Sequence, residues 1–321
     1  MIFEKKILSI YKSKLLKRRD PDGRSHIFSR EEFEGLMCEE LSFIGDRGQT
    51  LCAYLYYRGE PRRDTLVMLD HGMGCGHNSY LGEIDVITRR GYTVFTYDHT
   101  GTMRSGGEDI GGFSQSLCDL DRAVRFVRSL PEYKGARLSV IGHSWGGFSA
   151  MNIAALHPEI SHAVALSGFI SPKAIQDQVC RGLLKLYRPM LYSLERERLP
   201  EYADFDGRMS LSNSNVKTLL VHSRDDQICL FDLHFMKLHE ALCDHPYVTL
   251  LPLDGKGHYP QYTAEAVKYK RAWDAEVKQL TKKGLLQTDA QRAQLIARHD
   301  FHKMHEQDME LWAVIFHFLE S

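Results

Sequence analysis

The sequence predicts an α/β protein with a mostly parallel, eight-stranded sheet that is covered by helices on both faces. From residue 41 onward, short apolar runs alternate with segments whose apolar residues recur at helical spacing, which is typical of parallel strands joined by helices. A Gly-x-Ser-x-Gly turn separates one apolar run from the helical segment that follows it. At 321 residues the chain can bury a large core, so we expect one main domain with insertions.

Eight apolar runs are the predicted strands, and four segments between or after them are the predicted helices. The strands cover residues 41–44, 51–57, 65–69, 93–97, 138–141, 163–166, 218–222 and 248–251. The helices cover residues 80–90, 117–130, 144–156 and 309–319. Gly91, Pro131 and Pro158 mark the ends of the first three helices, because glycine is favoured after a helix and proline disfavours α geometry in the residue before it.

Three segments do not follow this alternation. We predict an N-terminal helical extension over residues 1–40 and the main domain over residues 41–321. Within that domain we predict a cap insertion at about 172–215 and a helical insertion at about 259–305. Insertions of this kind are expected to act as lids or packing arms.

The composition favours an ordinary cytoplasmic protein. Lys and Arg total 41 against 42 Asp and Glu, a formal net charge of −1, so no nucleic acid partner is indicated. The seven cysteines are scattered without a C-x-x-C pair, which argues for reduced thiols rather than a disulfide framework or a zinc site. No apolar stretch is long enough to span a membrane, and the start lacks the apolar region of a signal peptide.

The first residues carry a local excess of positive charge. Lys5, Lys6, Lys12, Lys14, Lys17, Arg18 and Arg19 are interleaved with Phe3, Ile7, Ile10, Tyr11 and Leu15 at helical spacing. A basic amphipathic helix of this kind either makes peripheral contact with an anionic membrane or packs on the body with a solvated basic face. We expect the second arrangement and retain membrane contact as the alternative.

Ser144 is the candidate nucleophile. It lies in Gly-His-Ser-Trp-Gly, directly after the predicted strand 138–141 and directly before a predicted helix. A strand-to-helix elbow lifts the serine hydroxyl above the sheet, and the two glycines remove the Cβ atoms that would collide in so tight a turn.

A serine hydroxyl is a poor nucleophile near neutral pH, so acyl transfer requires a histidine base and a carboxylate that orients it. Both should follow later strands, in the order serine, acid, histidine. Asp225 and Asp226 follow the strand 218–222, and His258 follows the strand 248–251 in a glycine-rich turn. We favour Asp226 over Asp225, expecting Ile228 to turn inward so that the Asp226 carboxylate faces the cleft.

The fourth component is an oxyanion hole formed by backbone N–H groups. One donor is the N–H of Trp145, next to the nucleophile. The other is expected in the loop 71–76, which follows the third strand and reads His-Gly-Met-Gly-Cys-Gly, and we assign it to Met73. This loop lacks the spacing of a phosphate-binding loop or a dinucleotide fold, so no cofactor is predicted.

These residues together resemble the α/β-hydrolase superfamily, specifically its serine hydrolase branch of monoacylglycerol lipases, lysophospholipases and serine aminopeptidase-like members. The resemblance covers roughly residues 41–171, 216–258 and the final helix. The segment Asp98–Gly107 also resembles that branch's loop after the fourth strand, although Thr102 or Met103 replaces its second glycine. The resemblance implies an α/β-hydrolase fold and a triad of Ser144, Asp226 and His258.

The predicted function is therefore that of a serine esterase acting on a small-molecule acyl substrate: monoacylglycerol, lysolipid or a small acyl ester. A serine aminopeptidase and a thioesterase are alternatives, because the same triad performs both reactions, and a non-catalytic receptor or scaffold is an alternative of another class. His299, His302 and His305 have a spacing that could gather metal ligands on a helix, but we expect a solvated helix flank there and no metal. The oligomeric state stays open.

Overall fold

The structure, a computed structural model, describes residues 2–74 and 76–321, with the side chains of residues 2–5, 7 and 14 excepted. Cys75 and several residues of the basic N-terminal pattern thus lie outside the described side chains. The eight strands form a single sheet: β1 Met37–Ile44, β2 Thr50–Tyr57, β3 Thr65–Asp70, β4 Thr93–Tyr97, β5 Arg137–His143, β6 His162–Leu166, β7 Lys217–Ser223 and β8 Val248–Leu253. All eight predicted strands are confirmed.

The order across the sheet is β1-β2-β4-β3-β5-β6-β7-β8. The pairs β1–β2 and β2–β4 are antiparallel, and the remaining five neighbouring pairs are parallel. Because β3 lies between β4 and β5, the chain order reverses there. In open α/β sheets this reversal creates a crevice at the carboxyl ends of the strands, where ligands bind.

Helices cover both faces of the sheet. They are α1 Ile2–Tyr11, α2 Leu81–Arg89, α3 Gln115–Ser129, α4 Trp145–Asn152, α5 Pro172–Val179, α6 Arg188–Arg198, α7 Gly207–Ser212, α8 Phe235–Leu242, α9 Ala264–Lys282, α10 Asp289–Ile296, α11 Phe301–Met304 and α12 Met309–Leu319. Along β3, Leu66 and Met68 join the core with α3, α4 and α8, whereas Val67 and Leu69 join a second core with α2, α9 and α12. This alternation follows from the two-residue period of a strand.

The chain adds helices at the two positions where insertions are predicted. Between β6 and β7 lie α5, a 3-10 helix over Gly182–Tyr187, α6 and α7; between β8 and α12 lie α9, α10 and α11. The first insertion is tied to the loop before α3, because the buried Glu195 carboxylate accepts hydrogen bonds from Ser114 N (2.7 Å) and Ser114 Oγ (2.5 Å). Arg198 of the same helix lies 2.9 Å from Asp109.

The N-terminal segment differs from the helical extension predicted over residues 1–40. The helix ends at Leu16 after a wider turn, and β1 begins at Met37, four residues before the predicted boundary. Between them, residues 17–27 form an extended segment, here named the N-terminal strap. Its backbone pairs with the loop after β4 through Arg19 N and Gly101 O, 2.8 Å apart. In this segment, hydrogen bonds to the loop after β4 take the place of the hydrogen bonds within a helix that the predicted helical extension would have formed.

The apolar side of this segment packs on the body. Tyr11 and Leu16 are buried in the core with α3 and α4, and Leu8 and Leu15 pack against that core. Lys6 and Lys12 are exposed. Of the helices within the described residues, none has the length and apolar character required for a bilayer crossing.

Candidate active site

Ser144 forms the turn between β5 and α4. Its φ is 57° and its ψ is −108°, a region that residues other than glycine rarely occupy. The flanking glycines are required by close backbone approach: a Cβ on Gly142 would lie 2.0 Å from Gly146 O, and one on Gly146 would lie 2.1 Å from Asp70 O. The sequence pattern thus forms the strained elbow that the prediction requires.

His258 lies in the loop after β8 and contacts the serine. Its Nε2 is 2.8 Å from Ser144 Oγ, and its Nδ1 is 2.8 Å from Asp226 Oδ2. The ring is 8% exposed, so water has little access to these two hydrogen bonds. The structure therefore brings the three predicted residues together in one hydrogen-bonded chain.

Asp226, not Asp225, is the carboxylate that contacts His258. Its Oδ1 accepts the backbone N–H groups of Ile228 (2.8 Å) and Cys229 (3.0 Å). Burial opposes ionisation, but the hydrogen bonds from His222 and His258 outweigh it and hold the pKa of Asp226 well below its usual value. The inward turn predicted for Ile228 is wrong: its side chain is 57% exposed, and Cys229 is buried instead, because both backbone N–H groups turn toward the carboxylate.

Asp225 supports the same loop in a different way. Its Oδ1 accepts hydrogen bonds from Gly257 N (3.0 Å), next to His258, and from Ser223 Oγ (2.5 Å). Burial raises its pKa, yet the bonds from Ser223 and Arg271 outweigh burial and bring the pKa to about 2. The two adjacent carboxylates therefore hold the side chain and the backbone of the loop that carries His258.

His222 is a second histidine on Asp226, and sequence reasoning missed it. Its Nε2 lies 2.7 Å from the backbone oxygen of Cys229 and 3.1 Å from Asp226 Oδ2. Because a carbonyl oxygen only accepts, Nε2 carries the hydrogen. His222 is a buried β7 residue, and its place on the strand before the acid is the only sequence signal that could have identified it.

The two predicted oxyanion donors are the backbone N–H groups of Trp145 and Met73. Trp145 is the first residue of α4, so its N–H has no partner inside the helix; its indole Nε1 donates to Phe113 O (2.6 Å). Met73 is half-buried, and within the described part of the chain its N–H has no hydrogen-bond acceptor. Both backbone donors are thus available to a ligand.

A buried polar chain links loop 71–76, here named the oxyanion loop, to the loop of His258. Gly72 N donates to Tyr80 Oη (2.9 Å), Tyr80 Oη lies 2.7 Å from His143 Nδ1, and His143 Nε2 lies 2.7 Å from the backbone oxygen of His258. Gly72 N–H can only donate, and the backbone oxygen of His258 can only accept. The Tyr80 hydroxyl therefore donates to His143 Nδ1, and His143 Nε2 carries the hydrogen. Burial and the neighbouring His258 lower the pKa of His143 to about 3, so this ring stays neutral.

The loop after β4 contacts the oxyanion loop, because His99 N donates to His71 Nε2 at 3.1 Å. Asp98 Oδ1 accepts hydrogen bonds from His77 N (3.0 Å) and His77 Nδ1 (2.9 Å). His99 is enclosed between Asp70 (2.9 Å) and Asp119 (3.2 Å). Burial lowers the pKa of His99, but these carboxylates outweigh it and raise that pKa to about 10, so the ring is an imidazolium.

The three histidines considered as metal ligands have separate partners. His299 lies 3.1 Å from Glu276, His302 lies 3.1 Å from Glu32, and His305 Nδ1 lies 2.8 Å from Phe301 O. No group of three His, Cys, Asp or Glu residues suited to a metal ion occurs among residues 2–74 and 76–321.

A cavity of about 250 Å³ lies between the N-terminal strap and the oxyanion loop. Gly74, Gly76 and Met103 form one side of it. Charged and neutral polar side chains line the rest, including Lys17, Arg18, Arg19, Ser25, His26, Asn78 and Ser79. Two carboxylates also line it, but Asp20 lies 2.8 Å from Arg18 and Asp22 lies 3.5 Å from Arg24. The cavity is polar without an unpaired acidic group among the described residues.

Comparison with known proteins finds hydrolases. The family described as serine aminopeptidase, S33, matches residues 61–205. A protein of Azorhizobium caulinodans provisionally named a carbamate hydrolase, RutD, is 28% identical over 206 residues, which are 51% of this chain and 74% of that protein. The monoglyceride lipase of Rattus norvegicus is 27% identical over 187 residues, 57% of this chain and 58% of the lipase.

Among solved structures, an esterase of Pyrococcus furiosus is similar with a TM-score of 0.59 and 18% identity, covering 82% of this chain and 98% of that one. At this identity the likeness concerns the fold. The chain spans little more than half the length of the rat lipase, and the relatives named here support a hydrolase without defining its substrate. The sheet topology, the matched family and these likenesses confirm the resemblance predicted from the motifs: the chain belongs to the α/β-hydrolase superfamily.

Proposed function

We propose that the protein is a serine hydrolase that cleaves a carboxylic ester through an acyl-enzyme on Ser144. The observation that carries the proposal is the chain of two 2.8 Å contacts from Ser144 Oγ to His258 and from His258 to Asp226. It is the arrangement in which a histidine can accept the serine proton while a carboxylate stabilises the resulting imidazolium.

The chemistry has two halves. His258 Nε2 takes the Ser144 proton as Oγ bonds to the acyl carbon, and the N–H groups of Met73 and Trp145 donate to the oxyanion. When the ester bond breaks, the leaving alcohol takes that proton from His258. Water then attacks the acyl-enzyme with His258 again as base, which releases the carboxylic acid and restores the serine hydroxyl.

Monoacylglycerol, lysolipid and small acyl esters are the candidate substrates. The hydroxyl and amide groups that line the cavity beside the oxyanion loop suit a leaving group that carries hydroxyls, such as glycerol. The likeness to a monoglyceride lipase points the same way. A cytoplasmic location is part of the proposal, and the scattered cysteines, which argue for reduced thiols, support it.

The alternatives differ in the bond they cleave. An aminopeptidase needs an acidic group for the substrate amine, and the carboxylates lining the cavity are paired with arginines, so the ester is favoured although the matched family is described as an aminopeptidase. A thioesterase would use the same triad. A non-catalytic receptor would retain the fold without turnover.

Labelling with a fluorophosphonate probe tests the nucleophile. We expect rapid labelling of the wild-type protein, none of Ser144→Ala, and full labelling of a control, Ser212→Ala, at an exposed helix position. Absence of labelling in folded wild-type protein would favour the receptor. Comparing kcat/KM for p-nitrophenyl esters of increasing chain length, an acyl thioester and an aminoacyl anilide then separates the three enzyme activities.

A further inference from the structure

The cap insertion carries an exposed apolar segment in its middle. The 3-10 helix Gly182–Tyr187 has Leu183 86% exposed and Leu186 78% exposed. Residues three apart lie on the same side of a 3-10 helix, so the two leucines project together. Large apolar side chains that are exposed side by side mark interaction sites rather than ordinary surface. We name residues 181–187 the cap tip.

Cations line a groove next to this tip. A groove of about 570 Å³ adjoins it, lined by Lys173, Arg181, Lys185, Arg188, Arg208 and Lys237 and by the carboxylates Asp177 and Asp206. Arg188 lies 2.9 Å from Asp177 and Arg208 lies 2.7 Å from Asp206. The other four cations have no carboxylate partner among the described residues. The groove is therefore strongly positive in a chain whose formal charge is −1, and we name it the basic groove.

We propose that the cap tip and the basic groove form a docking surface for a bilayer that contains anionic phospholipid. The two leucines would enter the boundary between headgroups and acyl chains, while the unpaired cations contact lipid phosphate and carboxylate groups. Apolar side chains flanked by Lys and Arg are the combination by which peripheral proteins bind such surfaces. The proposal goes beyond the esterase activity, because it requires no chemistry at Ser144.

The end of helix α1 contacts helix α5, which leads directly into the cap tip. Gln176 Nε2 of α5 donates to Tyr11 Oη at 3.1 Å. Lys6, in α1, and Lys12, directly after it, are exposed, so a charge reversal of this pair serves as a separate arm of the test.

Vesicle flotation of the full chain tests the proposal. We expect binding to vesicles of phosphatidylcholine with phosphatidylserine, weak binding to phosphatidylcholine alone, and loss of binding as salt is raised. The pairs Leu183→Ser with Leu186→Ser and Lys185→Glu with Lys237→Glu should each weaken binding at least ~10-fold. The matched control, Lys278→Glu with Lys282→Glu on the exposed face of α9, should retain wild-type binding.

Hydrolysis of a soluble p-nitrophenyl ester and thermal melting are measured for every variant. Both should stay at wild-type values, which separates failure of docking from failure of the proposed enzyme activity. Unchanged binding in the tip and groove variants would overturn the proposal, as would equal loss in the α9 control. Loss confined to Lys6→Glu with Lys12→Glu would assign docking to α1 alone. Binding of inorganic phosphate without vesicle binding would reduce the groove to a small-anion site.

Discussion

Two neighbouring carboxylates of the site have different partners, and this decides which of them should matter for chemistry. Asp226 contacts the His258 ring, whereas Asp225 contacts the backbone N–H of Gly257. The sequence placed both at the end of one strand and could only favour Asp226. The distinction depends on where each side chain points after β7, which a strand pattern does not specify.

We expect Asp226→Asn to lower kcat/KM by ~10³–10⁴-fold, because the amide leaves the imidazole in the wrong tautomer and the imidazolium unpaired. Asp225→Asn is the matched control. Its amide oxygen can still accept from Gly257 and it loses mainly the pair with the exposed Arg271, so we expect less than a ~10-fold loss. Steady-state kinetics on one soluble ester measure both, and the reverse order would assign the acid to Asp225.

Tyr80 is a positioning residue in the polar chain between Gly72 and His258. In Tyr80→Phe, Gly72 N–H and His143 Nδ1 lose their shared partner, at a cost of about 1–3 kcal/mol. We expect kcat to fall ~10-fold with KM nearly unchanged. Affinity for a boronic acid that forms a tetrahedral adduct should fall in parallel, whereas affinity for the carboxylate product should not.

Tyr133→Phe, another buried tyrosine, which lies in the core with α3, is the control for that variant. Wild-type kinetics in Tyr80→Phe, or equal losses in both variants, would contradict the positioning role. The sequence could not have identified this series of hydrogen bonds, because His143 and Tyr80 are 63 residues apart and neither is one of the three predicted triad residues.

At the scale of elements, helix α2 contacts the helical insertion through a buried acidic residue. Glu83 is 2% exposed, and its Oε1 accepts a hydrogen bond from Gln261 Nε2 at 3.1 Å. Burial raises the pKa of Glu83 to about 7, so this carboxyl group ionises near neutral pH.

A carboxyl group with a higher pKa in the folded than in the unfolded protein favours folding while it is protonated. Its contribution is complete below pH ~4.5 and is lost as the pH rises toward 7. We therefore expect Glu83→Gln, which stays neutral, to be more stable than wild type at pH 8 by up to about 3 kcal/mol and equally stable near pH 4.5. Urea unfolding at both pH values measures this, and a pH-independent difference would contradict it.

The strands and the final helix could be predicted from the sequence because their apolar patterns are local. Helix α12 runs over Met309–Leu319, as predicted. The N-terminal strap could not be predicted, since its backbone bonds go to a loop about 80 residues away and leave no periodic pattern. The prediction that Ile228 turns inward was wrong for a similar reason. The backbone N–H groups of Ile228 and Cys229 bind the Asp226 carboxylate, and this hydrogen bonding leaves no periodic pattern in the sequence.

On the scale of the whole molecule, the N-terminal segment is part of the core. Leu16 is 1% exposed and packs in the same cluster as α3 and as α4, the helix that follows Ser144. Arg18 donates to Ser105 O (2.8 Å) and Gly107 O (2.9 Å) in the loop that contacts the oxyanion loop. The segment therefore connects the start of the chain to the site.

Leu16→Ala should lower the free energy of unfolding by about 2–5 kcal/mol, because it leaves a cavity in a packed core. Ile10→Ala, on the exposed side of α1 at 46% exposure, should change it by no more than about 0.5 kcal/mol. Urea denaturation followed by circular dichroism measures both. Similar values for the two variants would mean that the segment packs only loosely on the body.

The wide separation of the triad along the chain has a consequence for synthesis. Ser144 and its elbow leave the ribosome more than a hundred residues before His258, and β8, which precedes the loop of His258, pairs only at the far edge of the sheet. A nascent or prematurely terminated polypeptide would thus hold Ser144 without His258, and any activity that depends on their hydrogen bond would begin only after translation has passed His258.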